Sequence, residues 1–527
     1  MMDPVRSRSR SIRSLKLFYG NNSTLIGNTT LFGKAIAASN GMNDKKFYIT
    51  TSIAYTNAAP HIGYALEEVQ ADVLARFYRS KEPIFFLTGT DEHGATNVRA
   101  ADKAGVSVAE FTEAIAGKFK ALKESLNLSW DDFIRTTDRV RHWPGAELMW
   151  QKLVLAHDIY KKNYNGLYCI GHEAFITRKD LVGGKCRDHL TEPEVIEEEN
   201  YFFRLSKYAG EIETSIKSDK LRIVPETRKN EILSLIKNEG LEDVSFSRPR
   251  KDLSWGIPVP GDDSETMYVW CDALTNYLSA VGYGRNKDYK KFWPADIQVI
   301  GKDILRFHAA IWPGMLLSAG LPLPRTIFVH GFVTVDGQKM SKTIGNIVDP
   351  FVLVKKYGID AVRYYLLREI PSGEDGDYSE AKFKERYNGD LANGLGNFAA
   401  RVLTLGVSSG KFFEKLEIEE KIEKKVSETR EKVYGATENF KLHEALAALW
   451  GLISFGDAYV NEKKPWAIED AKAKEAAIFN LVVILDNVAA LLQPFLPETS
   501  EKITQCIKWD GNTLKIEKAE KLFPRLL

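Results

Sequence analysis

The stretch from residue 47 to residue 94 constrains the fold more than any other part of the chain. Residues 47–53 (FYITTSI) have the β-branched and aromatic composition of a strand, and a helical pattern follows from Ile62 through Leu66, Val69, Val73 and Phe77. A second strand-like run, residues 84–88, opens directly into Gly89-Thr90-Asp91-Glu92-His93-Gly94. Strand, glycine-containing loop, helix and strand make the layout of an open α/β sheet. Polar residues gathered at the carboxyl ends of its strands mark where such sheets bind ligands.

From Tyr160 to about Gly261 this pattern gives way to material richer in charge and turns, which reads as an inserted domain. The α/β signature then resumes, with strands expected at 267–270, 297–301 and 326–330 and a helix at 303–317. After Asp360 the pattern is nearly all helical. The expected organisation is a Rossmann-like parallel sheet in two halves, 46–160 and 261–345, split by an insertion at 161–260. A linking helical segment at 346–385 and an all-α bundle at 386–527 follow. In the bundle Leu391, Leu395, Phe398, Val402 and Leu405 recur at alternating spacings of four and three, giving one apolar face. Asn393, Asn397 and Arg401 lie off that stripe, either as an ordinary solvated face or as a surface presenting amide and guanidinium groups.

The formal net charge of +1 hides an uneven distribution. Between Pro4 and Met42 stand six basic residues (Arg6, Arg8, Arg10, Arg13, Lys16 and Lys34) and no acidic one, so +1 less +6 leaves about −5 for the rest. A nucleic-acid partner must then be met by a local basic surface. Arg- and Ser-rich, with only Asp3 and Asp44 as acids near its two ends, residues 1–45 have the composition of an organelle transit peptide or of a disordered basic tail. The expected site of action is the mitochondrial matrix, with the plastid and the cytoplasm as alternatives. The most apolar stretch, AAIFNLVVIL ending at Leu485, meets Asp486 well short of the roughly 20 residues a membrane span needs, and reads as a buried helix. Four cysteines in a chain of 527 residues make no disulfide framework.

Two motifs carry chemistry. The first strand ends in AYTNAAPHIGY, which sets a proline turn, His61 at the first turn of a helix, and Gly63 where a bound group can come close. A helix amino end with an imidazole suits a nucleotide phosphate, although a histidine at a helix start is also a common polar cap. The second is Val335-Asp336-Gly337-Gln338-Lys339-Met340-Ser341-Lys342-Thr343. It is a turn followed by two lysines around a small residue, able to set ammonium groups against a triphosphate.

Together, HIGY and KMSKT about 275 residues later resemble the two signatures of class I aminoacyl-tRNA synthetases. That family usually has histidine where this chain has Tyr64, whose hydroxyl can still donate a hydrogen bond. The segments TGTDEHG, WGIPVPGD, YVWCDAL and GKDILRFHAAIWP are similar to methionyl-tRNA synthetases, a resemblance running over nearly all of the chain from Phe47.

The resemblance implies a set of roles. Methionine's ammonium would sit on Asp91 and its side chain among Ile53, Tyr55, Trp270, Ala273, Leu274, Tyr277, Ile304, His308 and Trp312. An unbranched thioether suits such an aromatic pocket, with the tyrosine hydroxyl and the histidine as weak polar partners for sulfur. ATP with Mg2+ would be met by His61, Gly63, Tyr64, Lys339, Ser341 and Lys342, with His61, Lys339 and Lys342 catalytic. Asp303 is either a contact to ribose or methionine or a helix cap. The CAU anticodon of tRNA(Met) would be read by Asn397, Arg401 and Trp466, with Lys463 and Lys464 on phosphates.

Cys169, His172, Cys186 and His189 form C-x2-H-x13-C-x2-H, either a structural zinc knuckle or a degenerate one held by packing. No large insertion of the kind that edits is present, and the end of the chain soon after Phe523-Pro524 gives a monomer as the expectation. Another class I synthetase would share both signatures. A non-catalytic RNA-binding or assembly protein of the same descent would be expected to lose Asp91 and the loop lysines, which are all present.

Overall fold

The computed structural model describes residues 45–169, 174–176, 180–187, 190–340, 345–408, 412–414, 416–511, 513–518 and 520–526. Its central sheet has six strands: β1 (Phe47–Tyr55), β2 (Ile84–Asp91), β3 (Asp132–Arg135), β4 (Arg222–Val224), β5 (Ile297–Gly301) and β6 (Thr326–His330). All are parallel, in the order β3-β2-β1-β5-β6-β4. The chain winds outward from β1 in one direction and, after the insertion, from β5 in the other. The point where the winding reverses lies between β1 and β5, and a crevice opens at their carboxyl ends.

Side chains on these strands alternate between two cores, as a sheet covered on both faces requires. Ile49, Phe86, Val299 and Phe328 enter one core with Ile62, Leu66, Val69 and Val73 of helix α1 (Ile62–Arg79), and that core continues into the C-terminal helices. Tyr48, Leu87, Ile300 and Ile327 enter the other, shared with the insertion and the short helices after it. Gly89 permits the close approach of β3: a Cβ there would stand 2.1 Å from the Ile134 carbonyl oxygen.

The insertion carries an antiparallel sheet in which Ile159–Cys169 pairs with Glu194–Phe203 from Ile159↔Phe203 to Tyr168↔Glu194. Its strand therefore begins at Ile159, and the 161–260 span is not wholly separate from the main sheet. Arg222–Val224, from inside that span, forms the sheet's edge beside β6. Residues 267–270 are not a strand. Pairing ends at Met267, the last residue of Asp262–Met267, and Trp270 lies in the short helix Val269–Leu274. The expected helix at 303–317 is a 3-10 turn (Lys302–Ile304), a π-helical turn (Phe307–Ile311) and an α-helix (Trp312–Ser318).

Beyond Asp360 the chain is helical, with Glu420–Glu438, Leu442–Lys463 and Ala471–Leu492 as the long members. Ala471–Leu492 is long and apolar enough to cross a membrane, but its large apolar residues, from Ile478 to Leu492, are buried within the bundle. The domain is not all-α. Phe412–Glu414, Thr513–Ile516 and Ile507–Asp510 form a small antiparallel sheet, too short to show a period in the sequence.

Candidate active site

Register brings the first site groups together. Tyr55 pairs with Asp91, placing an aromatic ring and a carboxylate side by side at the ends of β1 and β2. One cavity at this point is lined by Ile53, Tyr55, Asp91, Trp270, Ala273, Leu274, Asn276, Tyr277 and Ile304. The spacing 270, 273, 274, 277 is that of one helical face, which is how a short helical segment turns four side chains into one pocket.

Tyr277 and His308 define the back of this pocket. The Tyr277 hydroxyl stands 2.7 Å from His308 Nε2, and His308 Nδ1 stands 3.0 Å from the Ile304 carbonyl oxygen. The carbonyl can only accept, so Nδ1 carries the proton and Nε2 accepts from the phenol. Burial pushes the His308 imidazole down to about 4, so it is neutral at physiological pH. With its proton given to His308, the Tyr277 hydroxyl has none left for a ligand's sulfur. Trp312 is fully buried behind Tyr277, edge-on to Trp293, and His308 also lies outside the cavity lining. Asn276 and Phe307 were missing from the sequence reading. Phe307 stacks on Trp270 with ring centroids 3.6 Å apart, and the buried Trp270 indole N–H has no hydrogen-bond partner among the described residues.

A buried clamp fixes this helix to the loop after Asp91. Asp272 accepts from His93 Nδ1 and His142 Nε2, each at 2.6 Å, and His142 Nδ1 meets the Ser279 hydroxyl at 2.7 Å. Burial alone would raise the Asp272 carboxyl, but the two histidines hold it below the usual carboxylate range. Trp255 covers the same loop, donating its indole N–H to the Glu92 carbonyl at 2.6 Å.

The two signature motifs meet at the start of α1. His61 is the N-cap, and its Nδ1 accepts from the Gly63 backbone N–H at 3.1 Å. Nδ1 is therefore unprotonated, and the neutral ring carries its hydrogen on Nε2. Burial, and then the neighbouring His330, lower the His61 imidazole. Met340 Cε lies 3.6 Å from where a Cβ on Gly63 would stand, and the Ile62 N–H donates to the Val348 carbonyl at 3.0 Å. Residues some 280 positions apart in sequence thus pack on one helix end. Lys339 is exposed on a hairpin (Val333–Val335 with Gln338–Lys339) whose turn residues Asp336 and Gly337 have φ of 49° and 75°, as a type I′ turn needs. Asp377 pins that turn, accepting from the Gly337 N–H at 2.7 Å. Ser341 and Lys342 lie outside the described residues.

Tyr64 faces inward. Its hydroxyl donates to Glu68 Oε1 at 2.8 Å and lies 3.3 Å from Thr88 Oγ1, with the ring edge-on to Phe119. Burial raises Glu68 to about 7 even though Thr88 and Tyr64 donate to it. The phenol is committed to the core beneath the helix.

Comparison with known proteins fits this geometry. Residues 47–191 and 178–403 match the family described as tRNA synthetases class I (M), and residues 419–524 match the anticodon-binding domain of tRNA ligase. The chain belongs to the methionyl-tRNA synthetases. It is 42% identical over 511 residues to the methionine--tRNA ligase of Clostridium perfringens, spanning 92% of this chain and 79% of that protein. It is 41% identical over 478 residues to that of Brucella melitensis, spanning 88% and 92%. The solved structure of Mycobacterium tuberculosis methionyl-tRNA synthetase in complex with methionyl-adenylate superposes with a TM-score of 0.86 at 39% identity, covering 91% of this chain and all of that one.

In the C-terminal domain of this synthetase, the stripe from Leu391 to Val402 is buried, while Asn393 and Asn397 are exposed. Arg401 Nη2 donates to Asn461 Oδ1 at 3.0 Å, and Nη1 lies 3.4 Å from Asp457 Oδ1. Trp466, 56% exposed, follows Lys464, whose φ of 43° ends the helix Leu442–Lys463. Lys463 pairs with Glu419 at 3.0 Å. In the insertion, Cys169 and Cys186 are buried in one small cluster with Ile176, while His172 and His189 lie outside the described residues. Among the described residues no group of three or more His, Cys, Asp or Glu side chains is placed to hold a metal.

Proposed function

We propose that this synthetase condenses L-methionine with ATP to methionyl-adenylate and passes the methionyl group to tRNA(Met). The observation that carries the proposal is the apolar, aromatic cavity with the Asp91 carboxylate in its wall, opening at the strand ends where both signature motifs converge. A zwitterionic amino acid with an unbranched thioether fits that pattern of one carboxylate and many rings. Its ammonium pairs with Asp91. Its sulfur lies against Trp270 and Tyr277, where the unpartnered Trp270 indole N–H offers the weak donor that the Tyr277 hydroxyl, turned to His308, does not.

In this reading ATP enters as its magnesium complex, with the metal carried on phosphate oxygens and water. A methionine carboxylate oxygen attacks the α-phosphorus, and the bond to the β-phosphate oxygen breaks, releasing pyrophosphate. A ribose hydroxyl of the tRNA end then attacks the carbonyl of the mixed anhydride, and AMP leaves. No protein nucleophile is needed; orientation and charge compensation lower the barrier. His61 Nε2–H donates to a phosphate oxygen while Lys339, with Ser341 and Lys342, compensates the leaving pyrophosphate. Tyr64, committed to Glu68, is left out of the nucleotide contacts.

For the tRNA, Trp466 is exposed for stacking on a splayed base, with Asn397 and Arg401 presenting donors for base edges. The active unit is read as one chain, since a single polypeptide carries both motifs and the anticodon-facing residues. The basic stretch between Pro4 and Met42, which has no acidic residue, supports an organellar site of action, the mitochondrial matrix first. A fluorescent fusion of residues 1–45 that stays cytosolic would sink that reading. The two buried thiols of the knuckle suit a structural zinc ion completed by His172 and His189. Elemental analysis of purified protein, with and without Cys186→Ser, decides between zinc and packing alone. The experiment for the whole proposal is aminoacylation. Methionine should be esterified to a transcript with a CAU anticodon, and failure to charge it while charging another tRNA would overturn the assignment.

A further inference from the structure

His330, the last residue of β6, ends the strand that leads into the Lys339 hairpin, and no role in the reaction has been given to it above. Its ring is buried, and both nitrogens face acceptors. Nε2 lies 2.8 Å from Glu67 Oε2, and Nδ1 lies 2.8 Å from the Gly331 carbonyl oxygen. Glu67 Oε1 accepts at the same time from the Ser52 N–H at 2.9 Å and the Ser52 hydroxyl at 2.6 Å. A carboxylate that receives this many donors is best satisfied ionised, and a carbonyl can only accept, so each ring nitrogen of His330 carries a hydrogen.

We propose that His330 is a resident imidazolium of the adenylate-forming site, a positioning residue that, through Glu67, holds the end of β1 and the strand into the Lys339 hairpin against α1, the helix capped by the neutral His61. This rests on the assignment of ATP phosphate to His61 made above. Neutrality matters because of the local geometry. His61 Nδ1 must be bare to accept from Gly63, which directs the remaining hydrogen, on Nε2, outward. A second proton on Nδ1 would face the Gly63 N–H and break the cap.

The titratable groups around His330 are Glu67 from α1, Asp303 from the turn after β5, and the neutral His61. Burial alone would lower the His330 imidazole, but Glu67 overcomes this and raises it, with Asp303 adding to the effect. One charge placed there also links three elements. β6 delivers the Lys339 hairpin, α1 carries His61 and Gly63, and Ser52 lies in β1 next to Ile53 of the methionine pocket.

The test is the pH profile of methionine-dependent ATP–pyrophosphate exchange in the full chain, for His330→Gln, Glu67→Gln and the double variant. Burial remains the larger cause of the low His61 imidazole, and removing the cation, the second cause, raises it part of the way toward its ordinary range. His61 then becomes protonated at a higher pH, and the acid limb of kcat/KM for ATP moves upward. The expected result for both single variants is a ratio of activity at pH 6 to pH 8 at least threefold below that of the parent. The double variant should show no further fall. Equal loss at every pH, with the acid limb unmoved, would overturn the proposal and leave the pair as packing only. Glu67→Gln is close to isosteric and keeps the test open if His330→Gln does not fold. His61→Asn is the control: if it exchanges as well as the parent, the ATP assignment itself has failed rather than the role of His330.

Discussion

Gly63→Ala separates the geometry of the nucleotide site from the stability of the fold. A Cβ on Gly63 would stand 2.9 Å from His61 Cε1 and 3.0 Å from Nδ1. Carbon contacts are favourable only from about 3.5 Å, so the imidazole must withdraw by roughly half an ångström. Among the described residues nothing else resists the methyl group: Met340 Cε, at 3.6 Å, is an ordinary contact. Gly63 sits in the first turn of α1, where alanine is worth up to about 1 kcal/mol in helix propensity, while loss of the cap costs about 0.5–2 kcal/mol. Thermal stability should therefore change little. Catalysis should not escape so lightly, because a misplacement approaching 1 Å can cost about 10²-fold in rate. The expected outcome is a fall of roughly 10- to 100-fold in exchange kcat at saturating methionine, with methionine affinity by calorimetry unchanged. An undiminished rate would refute the placement of His61 on the phosphates. A parallel loss of methionine binding would refute the separation of the two subsites.

Three further outcomes follow from the same geometry. Asp91→Asn removes the partner of the substrate ammonium, and a charged hydrogen bond worth about 1.5–3 kcal/mol predicts a rise of about 10- to 150-fold in KM for methionine. KM for ATP should hold, and a rise in both would point to collapse of the site. Trp466→Ala should weaken charging of tRNA by the roughly 1–3 kcal/mol of one stacked base while leaving pyrophosphate exchange intact; an effect on exchange would place Trp466 in the bundle's core instead. His308 titrates near 4 in the fold and near 6.5 when unfolded, so the unfolded chain takes up the proton first. Its contribution to stability is full above about pH 6.5 and is lost as pH falls toward 4. Thermal midpoints of the parent and His308→Gln between pH 7 and 5 should therefore converge at the acid end, and parallel curves would contradict the buried neutral imidazole.

The main sheet was legible because its strands are continuous apolar runs of ordinary length. Residues 297–301 and 326–330 stand where the sequence put them, and α1 begins at Ile62 as its period required. Arg222–Val224 was not legible. Three residues carry no period, and only pairing with Thr326–Phe328 makes them a strand. The aromatic and β-branched run before Asp272 looked like strand until the pairing of Asp262–Met267 ended it, although the spacing of 270, 273, 274 and 277 already held the helical signal. Pocket residues could be named one by one, but their relations could not. His142 and Asp272 are 130 positions apart, Glu67 and His330 are 263 apart, and neither pair has a local signature. Tyr64 shows the limit from the other side. Its ability to donate a hydrogen bond was plain, while the acceptor, Glu68 one turn along the same helix, was fixed by how deeply that helix face is buried.

The most direct measurement of the central claim is ATP–pyrophosphate exchange by the chain beginning near Met42, run separately with methionine, isoleucine, leucine, valine and cysteine. The cavity and the two motifs predict exchange with methionine alone. Exchange with another of these amino acids in preference to methionine, or none from folded protein, would contradict it.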